Sequence, residues 1–333
     1  MKKVVVIGGG TGSFVALSGL KKFPVDLTAI VTVADSGGST GRLRDEFGYL
    51  PPGDFRMALV ALASDGDEDQ VLRKLFLHRF SQGEAGLKGH NFGNLFLTAL
   101  TDILGSEEKA INYASRILRV KGRVLPVTTE SVSLVASYED GSVLKGETFI
   151  DEPPASHDCT QRIKDLWLDP EAVCIPTVTR VLLEADMIVF GPGDVYTSVL
   201  ANLVVKGVPE AIRKSQAQII YVVNLMTKYG QTTEYKASDH VEAIKKYLGQ
   251  YPDLVLVDNK EFPEDILDLY LEEKGFRVED DLGDGGGNFR VIRQDLSSDM
   301  VFQKSPSDKL RRSLIRHDAD KLAWELMKIL KPF

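Results

Sequence analysis

The chain has 333 residues, 43% of them apolar and 26% charged, with a formal net charge of −8. These fractions suit a globular protein of one or two domains, and the acidic balance excludes a broad nucleic-acid footprint, which needs a basic surface. No apolar stretch approaches the ~18 residues a membrane-spanning helix needs, and the N-terminal apolar run is too short for a signal-peptide core, so the chain reads as cytoplasmic.

In chain order, Val4-Val5-Val6-Ile7 is a β-branched run that ends at Gly8 and reads as a buried parallel strand. Residues 14–20 place apolar side chains at helical spacing, and residues 27–33 form a second strand. Strand, glycine turn, helix, strand is the opening unit of a doubly wound sheet. The fold class is therefore α/β, Rossmann-like, with a mostly parallel sheet. Residues 34–54 read as one long loop rich in glycine and proline, a length that compact domains usually keep for function. Helices follow over 55–63, 70–80, 95–104 and 107–120. From 122 to 150 the pattern turns to alternation around Asp140-Gly141, which predicts a β-hairpin insertion. Residues 151–180 carry prolines and mixed polarity and give no clear element. Together, 121–180 read as an inserted, partly irregular subdomain within a single α/β domain over 1–333. The α/β rhythm returns with strands at 187–190, 219–223 and 254–257 and a helix at 195–205. Residues 283–288 are too glycine-rich to pack and read as a turn or a mobile loop, and 319–330 is a closing amphipathic helix. Cys159 and Cys174 lack CxxC spacing and accompanying histidines, so they read as reduced thiols.

Five loops carry candidate chemistry. The first is Gly8-Gly9-Gly10-Thr11-Gly12-Ser13. Gly9, Gly10 and Gly12 let the backbone approach a ligand, the helix start offers unpaired N–H groups to an anion, and Thr11 and Ser13 add hydroxyls. It matches the dinucleotide pattern G-x-G-x-x-G only in part, because Ser13 holds the last position. The second is Asp35-Ser36-Gly37-Gly38-Ser39-Thr40, followed by Arg42 and Arg44. Asp35 is the candidate for a metal ion or a ribose hydroxyl, and the one candidate catalytic residue. The glycine–serine stretch suits an amide nest, and both arginines suit a phosphate clamp. The third, Pro51-Pro52-Gly53-Asp54-Phe55-Arg56, offers Asp54 as a helix N-cap. Arg56 falls in the first helical turn, where a cation opposes the dipole unless an anion is bound.

In the fourth loop, His90-Asn91-Phe92-Gly93-Asn94, the two asparagines either cap a helix or read a base or sugar edge. His90 is a candidate acid or phosphate partner. The fifth, Gly191-Pro192-Gly193-Asp194-Val195-Tyr196, repeats the strand–turn–helix logic of the first, with Gly191, Gly193 and Tyr196 as binding candidates. Asp194 would repel phosphate, so it caps its helix, holds a metal ion or binds a sugar hydroxyl.

Residues 8–13, 32–44, 50–63, 90–100 and 191–205, with Asn224-Leu225-Met226-Thr227, Ala237-Ser238-Asp239-His240 and Arg316-His317-Asp318, resemble the bacterial gluconeogenesis factor family. That family is related to 2-phospho-L-lactate transferase, and the resemblance spans nearly the whole chain. It implies a Rossmann-like fold, a bound uridine-diphosphate sugar, and a role in cell shape and wall synthesis during growth on gluconeogenic carbon sources. It leaves room for a homo-oligomer and for protein partners in wall synthesis. In the transferase relatives, the aspartate matching Asp35 holds the metal ion at the diphosphate, here expected to be Mg2+. Arg316 resembles an arginine tied to nucleotide-sugar binding. The chain departs from the family at Asp194, where many members have Ser.

No nucleophile–base pair stands out, so the leading expectation is a nucleotide-sugar binding and regulatory protein. The alternative is an enzyme that transfers a phospholactyl group from a nucleotide diphosphate donor. The broken fingerprint and the long loop after Asp35 count against a nicotinamide oxidoreductase, although a dinucleotide remains a second ligand class for the cleft.

Overall fold

β-branched runs build the spine of the molecule. In the computed structural model, which describes residues 1–81, 86–300 and 314–330, the strands are β1 (Lys2–Gly8), β2 (Val25–Val31), β3 (Arg123–Pro126), β4 (Ser133–Tyr138), β5 (Val143–Lys145), β6 (Ile163–Asp169), β7 (Met187–Phe190), β8 (Gln218–Val222), β9 (Leu254–Asp258) and β10 (Arg290–Gln294). Seven of them form one sheet in the order β10-β9-β8-β7-β1-β2-β3, and every pairing in it is parallel. Val4 of β1 stands opposite Leu27 on one side and Met187 on the other. Helices cover both faces, so a strand needs an unbroken apolar run rather than an alternating one. Val4, Val5, Val6 and Ile7 are accordingly all buried.

The chain leaves β1 outward through β2 to β3, then returns to β7 on the other side of β1 and runs outward to β10. The strand order reverses between β1 and β7. Loops leaving those two strands diverge to opposite sides, and the crevice between them is where ligands bind in open α/β sheets.

The helices that shape this crevice are α1 (Gly10–Leu20), α2 (Gly38–Phe47), α3 (Pro52–Leu62), α4 (Asp67–Leu77), α5 (Phe92–Leu104), α6 (Glu107–Ile117) and α7 (Glu147–Asp151). The stretch 34–54, expected as one long loop, therefore contains α2. Its buried face is Ser39, Thr40, Gly41 and Leu43, a polar face that leaves no apolar stripe to read. Its end is marked by Gly48, which adopts the left-handed conformation at φ 73° that terminates helices. α3 starts at Pro52 with Pro51 as its cap, so Asp54 lies in the first turn and is not the N-cap. Asn91 does cap α5, accepting from the Asn94 amide at 3.3 Å.

The helix expected over 70–80 lies three residues earlier, at Asp67–Leu77. It stops at His78 because Arg79 pairs with Asn91 across a short antiparallel hairpin. β3, which begins the alternating stretch at 122–150, joins the main sheet, and a separate antiparallel sheet has the order β5-β4-β6. β6 and the start of the helix Pro176–Leu183 fall in 151–180, where the sequence showed no element. The burial of β6 is ragged: Ile163, Leu166 and Leu168 are covered while Lys164 and Asp165 are exposed, and its register shifts between Ser137 and Tyr138 of β4. The expected helix at 195–205 is wound as a π-helix over Val195–Leu200 before continuing through Ala201–Leu203. Ala319–Leu330 is helical as read from the sequence. Among the described residues no helix is long and apolar enough to cross a membrane.

Candidate functional site

A cleft of about 1820 Å3 opens among the loops that follow the C-terminal ends of β1, β2, β7 and β8. It is lined by Gly9, Gly10, Thr11 and Gly12 of the first loop, by Asp35, Gly37, Gly38, Ser39, Thr40 and Arg42 of the second, and by Gly193 and Asp194 of the fifth. Arg56, Asn94 and Arg316 also face it. First and fifth loops touch directly: a Cβ added to Gly12 would lie 2.1 Å from the Pro192 carbonyl oxygen. Only glycine lets these two turns meet.

The other candidates do not open on the cleft. Ser13 is buried beneath Gly8. Ser36 is turned to the insertion, where its hydroxyl accepts from the Thr148 amide at 3.0 Å. Arg44 donates to the Val132 carbonyl at 2.6 Å and so clamps α2 to the small sheet. Asn91 is spent as a cap, and Gly191 lies behind Pro192. Tyr196 is buried, with its hydroxyl 2.7 Å from that of Tyr235.

Three of the amides expected to meet an anion already have acceptors. The Gly10 N–H donates to Asp54 Oδ1 at 2.8 Å, the Gly37 N–H to Asp35 Oδ1 at 2.9 Å, and the Ser36 N–H to Glu147 Oε2 at 3.4 Å. The expectation of free peptide N–H groups is corrected at Gly10, Ser36 and Gly37. The protein's own carboxylates Asp54, Asp35 and Glu147 take these three amides.

These carboxylates are uncomfortable neighbours. Burial, and then the Asp35 charge, raise the Asp54 carboxyl to about 7. Burial raises Asp35 as well, against the Gly37 amide, the Thr40 hydroxyl, Arg56 and Arg44. Burial and the charges of Asp35, Asp151 and Asp54 push Glu147 well above its ordinary value. Burial lifts Asp151 to about 6, with Lys228 opposing. Desolvated like charges disfavour the ionised form of one another, and a cation among them would relieve that cost.

Asp35 and Asp54 suit a hard divalent ion chemically. Among the described residues, however, no three His, Cys, Asp or Glu side chains form a group that could hold one. The donor set therefore fits a Mg2+ that arrives with phosphate oxygens and water as its remaining ligands, the usual habit of that ion. It does not fit an all-protein cage.

Around this centre a buried polar net fixes the loops. Arg56 Nε donates to Asn94 Oδ1 at 2.8 Å, which leaves the Asn94 amide nitrogen to reach Ser39 and Thr40 at 3.4 and 3.3 Å. His90 Nδ1 lies 3.1 Å from Ser39 Oγ, so His90 supports α2 rather than facing the cleft. Asp194 pairs with Lys228 at 3.0 Å, and the same ammonium binds Asp151 of α7. Burial alone would lower the Lys228 value, but the two carboxylates outweigh it and hold the ammonium charged. Asp194 is thus neutralised from within, and the insertion is tied to the loop after β8.

Asp54 as a cleft acid, Glu147, Asp151, Lys228 and Tyr270 were not picked out from sequence as site residues. Glu147 and Asp151 lie more than a hundred residues from Asp35 and carry no local motif. Lys228 does follow the Asn224-Leu225-Met226-Thr227 block directly.

A family model described as 2-phospho-L-lactate transferase CofD matches residues 4–297. The chain is 41% identical over 331 residues to a gluconeogenesis factor of Bacillus subtilis, covering 99% of this chain and 98% of that one. It is 45% identical over 275 residues to a gluconeogenesis factor of Halalkalibacterium halodurans, covering 82% of each. Its fold is similar to the crystal structure of a UPF0052 family member from Bacillus halodurans, with a TM-score of 0.87, 39% identity and 98% of each chain covered.

Proposed function

The chain belongs to the 2-phospho-L-lactate transferase CofD family, among its gluconeogenesis factors, and from that premise we propose that it binds a nucleotide-sugar across the cleft as a regulatory protein. The observation that supports this reading is the meeting of the loops after β1, β2 and β7 along one cleft. The diphosphate, carrying Mg2+, would displace the carboxylates from the Gly10 and Gly37 amides and be held there, with Asp35 and Asp54 on the metal. When bound, the metal supplies charge neutralisation. The nucleoside would reach the wall of Leu225, Tyr270 and Arg316, where the Tyr270 hydroxyl is fixed by the Ile315 amide at 2.9 Å. A role in cell shape and wall synthesis during gluconeogenic growth belongs to the same proposal. The names of the relatives support its gluconeogenic part.

Titration calorimetry with uridine-diphosphate-N-acetylglucosamine, guanosine diphosphate and a nicotinamide dinucleotide, with and without magnesium, tests this. The uridine sugar should bind most tightly, without turnover. Arg316→Ala should weaken it tenfold or more, the loss of ~1.5–3 kcal/mol from one charged contact. Asp35→Asn should remove the magnesium dependence. An isotherm unchanged by Arg316→Ala would reject that residue's role, and binding indifferent to magnesium would reject the metal's.

One observation favours a second reading. A carboxyl lifted to about 7, as at Asp54, is matched to general acid–base work near neutral pH. A transferase moving a phospholactyl group from a nucleotide diphosphate to an acceptor would use it, and product formation would distinguish this from the sensor.

A further inference from the structure

The wall of the cleft beyond β2 differs from its centre in charge. It is made by α2 and by the paired residues 79–80 and 89–91, held by Phe80 N–H to the His90 carbonyl at 2.9 Å and Gly89 N–H to the Phe80 carbonyl at 2.8 Å. Arg42, Arg79 and Lys88 line the cleft here. Arg79 Nη1 donates to the Gly89 carbonyl at 2.8 Å, while both Nη atoms of Arg42 stand 3.4 Å from the Lys88 carbonyl. Gly89 makes this possible: its φ is 82°, and a Cβ there would lie 3.2 Å from Arg42 Nη2.

Among the described residues, none of these three cations pairs with a carboxylate. Many surface lysines, Lys2, Lys3, Lys145, Lys206 and Lys246 among them, do sit on acids. Burial, and then the Arg42 charge, pull His90 below its ordinary value, with Glu46 opposing and Arg79 adding to the pull, so both guanidinium groups act on the same place.

This wall stands beyond β2, whereas Leu225, Tyr270 and Arg316 gather beyond β8. β8, β7, β1 and β2 are successive strands, so β2 and β8 stand about 14 Å apart, three inter-strand spacings. We infer that Arg42, Arg79 and Lys88 form a second anion subsite, which takes a compact phosphate- or carboxylate-bearing group at the end of the cleft remote from Arg316. That group is either the far end of the nucleotide ligand or a separate small anion. The inference uses the nucleotide-sugar reading only to name what fills the other end.

Pyrophosphate is the probe, titrated into the full chain with uridine-diphosphate-N-acetylglucosamine saturating. The variant is Arg42→Gln with Lys88→Gln, both exposed positions. The control is Lys164→Gln with Lys214→Gln, which changes net charge equally at distant exposed sites. Pyrophosphate binding to the saturated wild type, weakened tenfold or more in the variant but not in the control, assigns the subsite to a separate anion. If pyrophosphate instead competes with the nucleotide-sugar, and the variant weakens the nucleotide-sugar titration tenfold, the ligand spans both ends and the subsite still stands. If no nucleotide-sugar binds but pyrophosphate does, and depends on Arg42 and Lys88, the nucleotide reading falls while the subsite survives. Titrations that the variant leaves unchanged, or that the control weakens equally, overturn the inference.

Discussion

Asp54 shows how a single residue serves two readings. In the sequence it has the position and chemistry of a helix cap. In the fold its carboxylate turns away from its own helix to the Gly10 amide, 2.8 Å away, because Pro51 already caps α3 and Gly9 leaves space beside it. An acid whose folded value exceeds its unfolded value holds its proton longer in the native state, so the stability it contributes is full at low pH and lost as pH rises. For Asp54 that window runs from the ordinary 3.8 to about 7. The thermal midpoint of the ligand-free protein should therefore fall as pH rises across this range. Asp54→Asn should flatten the part between pH 6 and 7, while Asp151, lifted to about 6, keeps the lower part. Magnesium should raise the midpoint more at pH 8 than at pH 5, since the metal takes the ionised form. A slope between pH 6 and 7 identical in wild type and variant would remove Asp54 as its source. The chemistry of this residue was legible as an acid at a glycine turn. Its partner was not, because Gly10 lies 44 residues away and nothing local announces the contact.

Among the elements, the turns were easier to read than what they touch. The strand–glycine–helix units after β1 and β7 stood out because β-branched runs stop abruptly at glycine. That the two turns meet at Gly12 and Pro192 depends on β1 and β7 being neighbours, a property of the sheet and not of either segment. Gly12→Ala would press a methyl against the Pro192 carbonyl and should cost about 1–3 kcal/mol, the usual penalty for overpacking. It should also part the two loops, so nucleotide-sugar affinity should fall along with the thermal midpoint. A variant with wild-type affinity and midpoint would show that the seam is slack. α2 escaped the sequence because its buried face is serine, threonine and glycine with a single leucine, Leu43, held by the Asn94 and His90 net rather than by an apolar stripe. β6 escaped because its alternation breaks where β4 shifts register.

For the whole molecule, periodicity and glycine placement were enough to establish a doubly wound parallel sheet, and the resemblance placed the chain among gluconeogenesis factors. What they did not convey is charge at a distance. Asp35, Asp54, Glu147 and Asp151 come from separate parts of the chain, and only the fold puts them in one cleft, between the Arg42–Arg79–Lys88 wall and Arg316. An acidic centre with cationic ends favours a ligand that brings its own divalent cation to the middle. The most direct test is a crystal structure of the protein grown with uridine-diphosphate-N-acetylglucosamine and magnesium. The diphosphate should lie between residues 9–12, 37–40 and 193–194, with the metal at Asp35 and the uracil toward Tyr270 and Arg316. A nucleotide found outside this cleft, or glycine turns still occupied by Asp54 and Asp35 at saturating ligand, would contradict it.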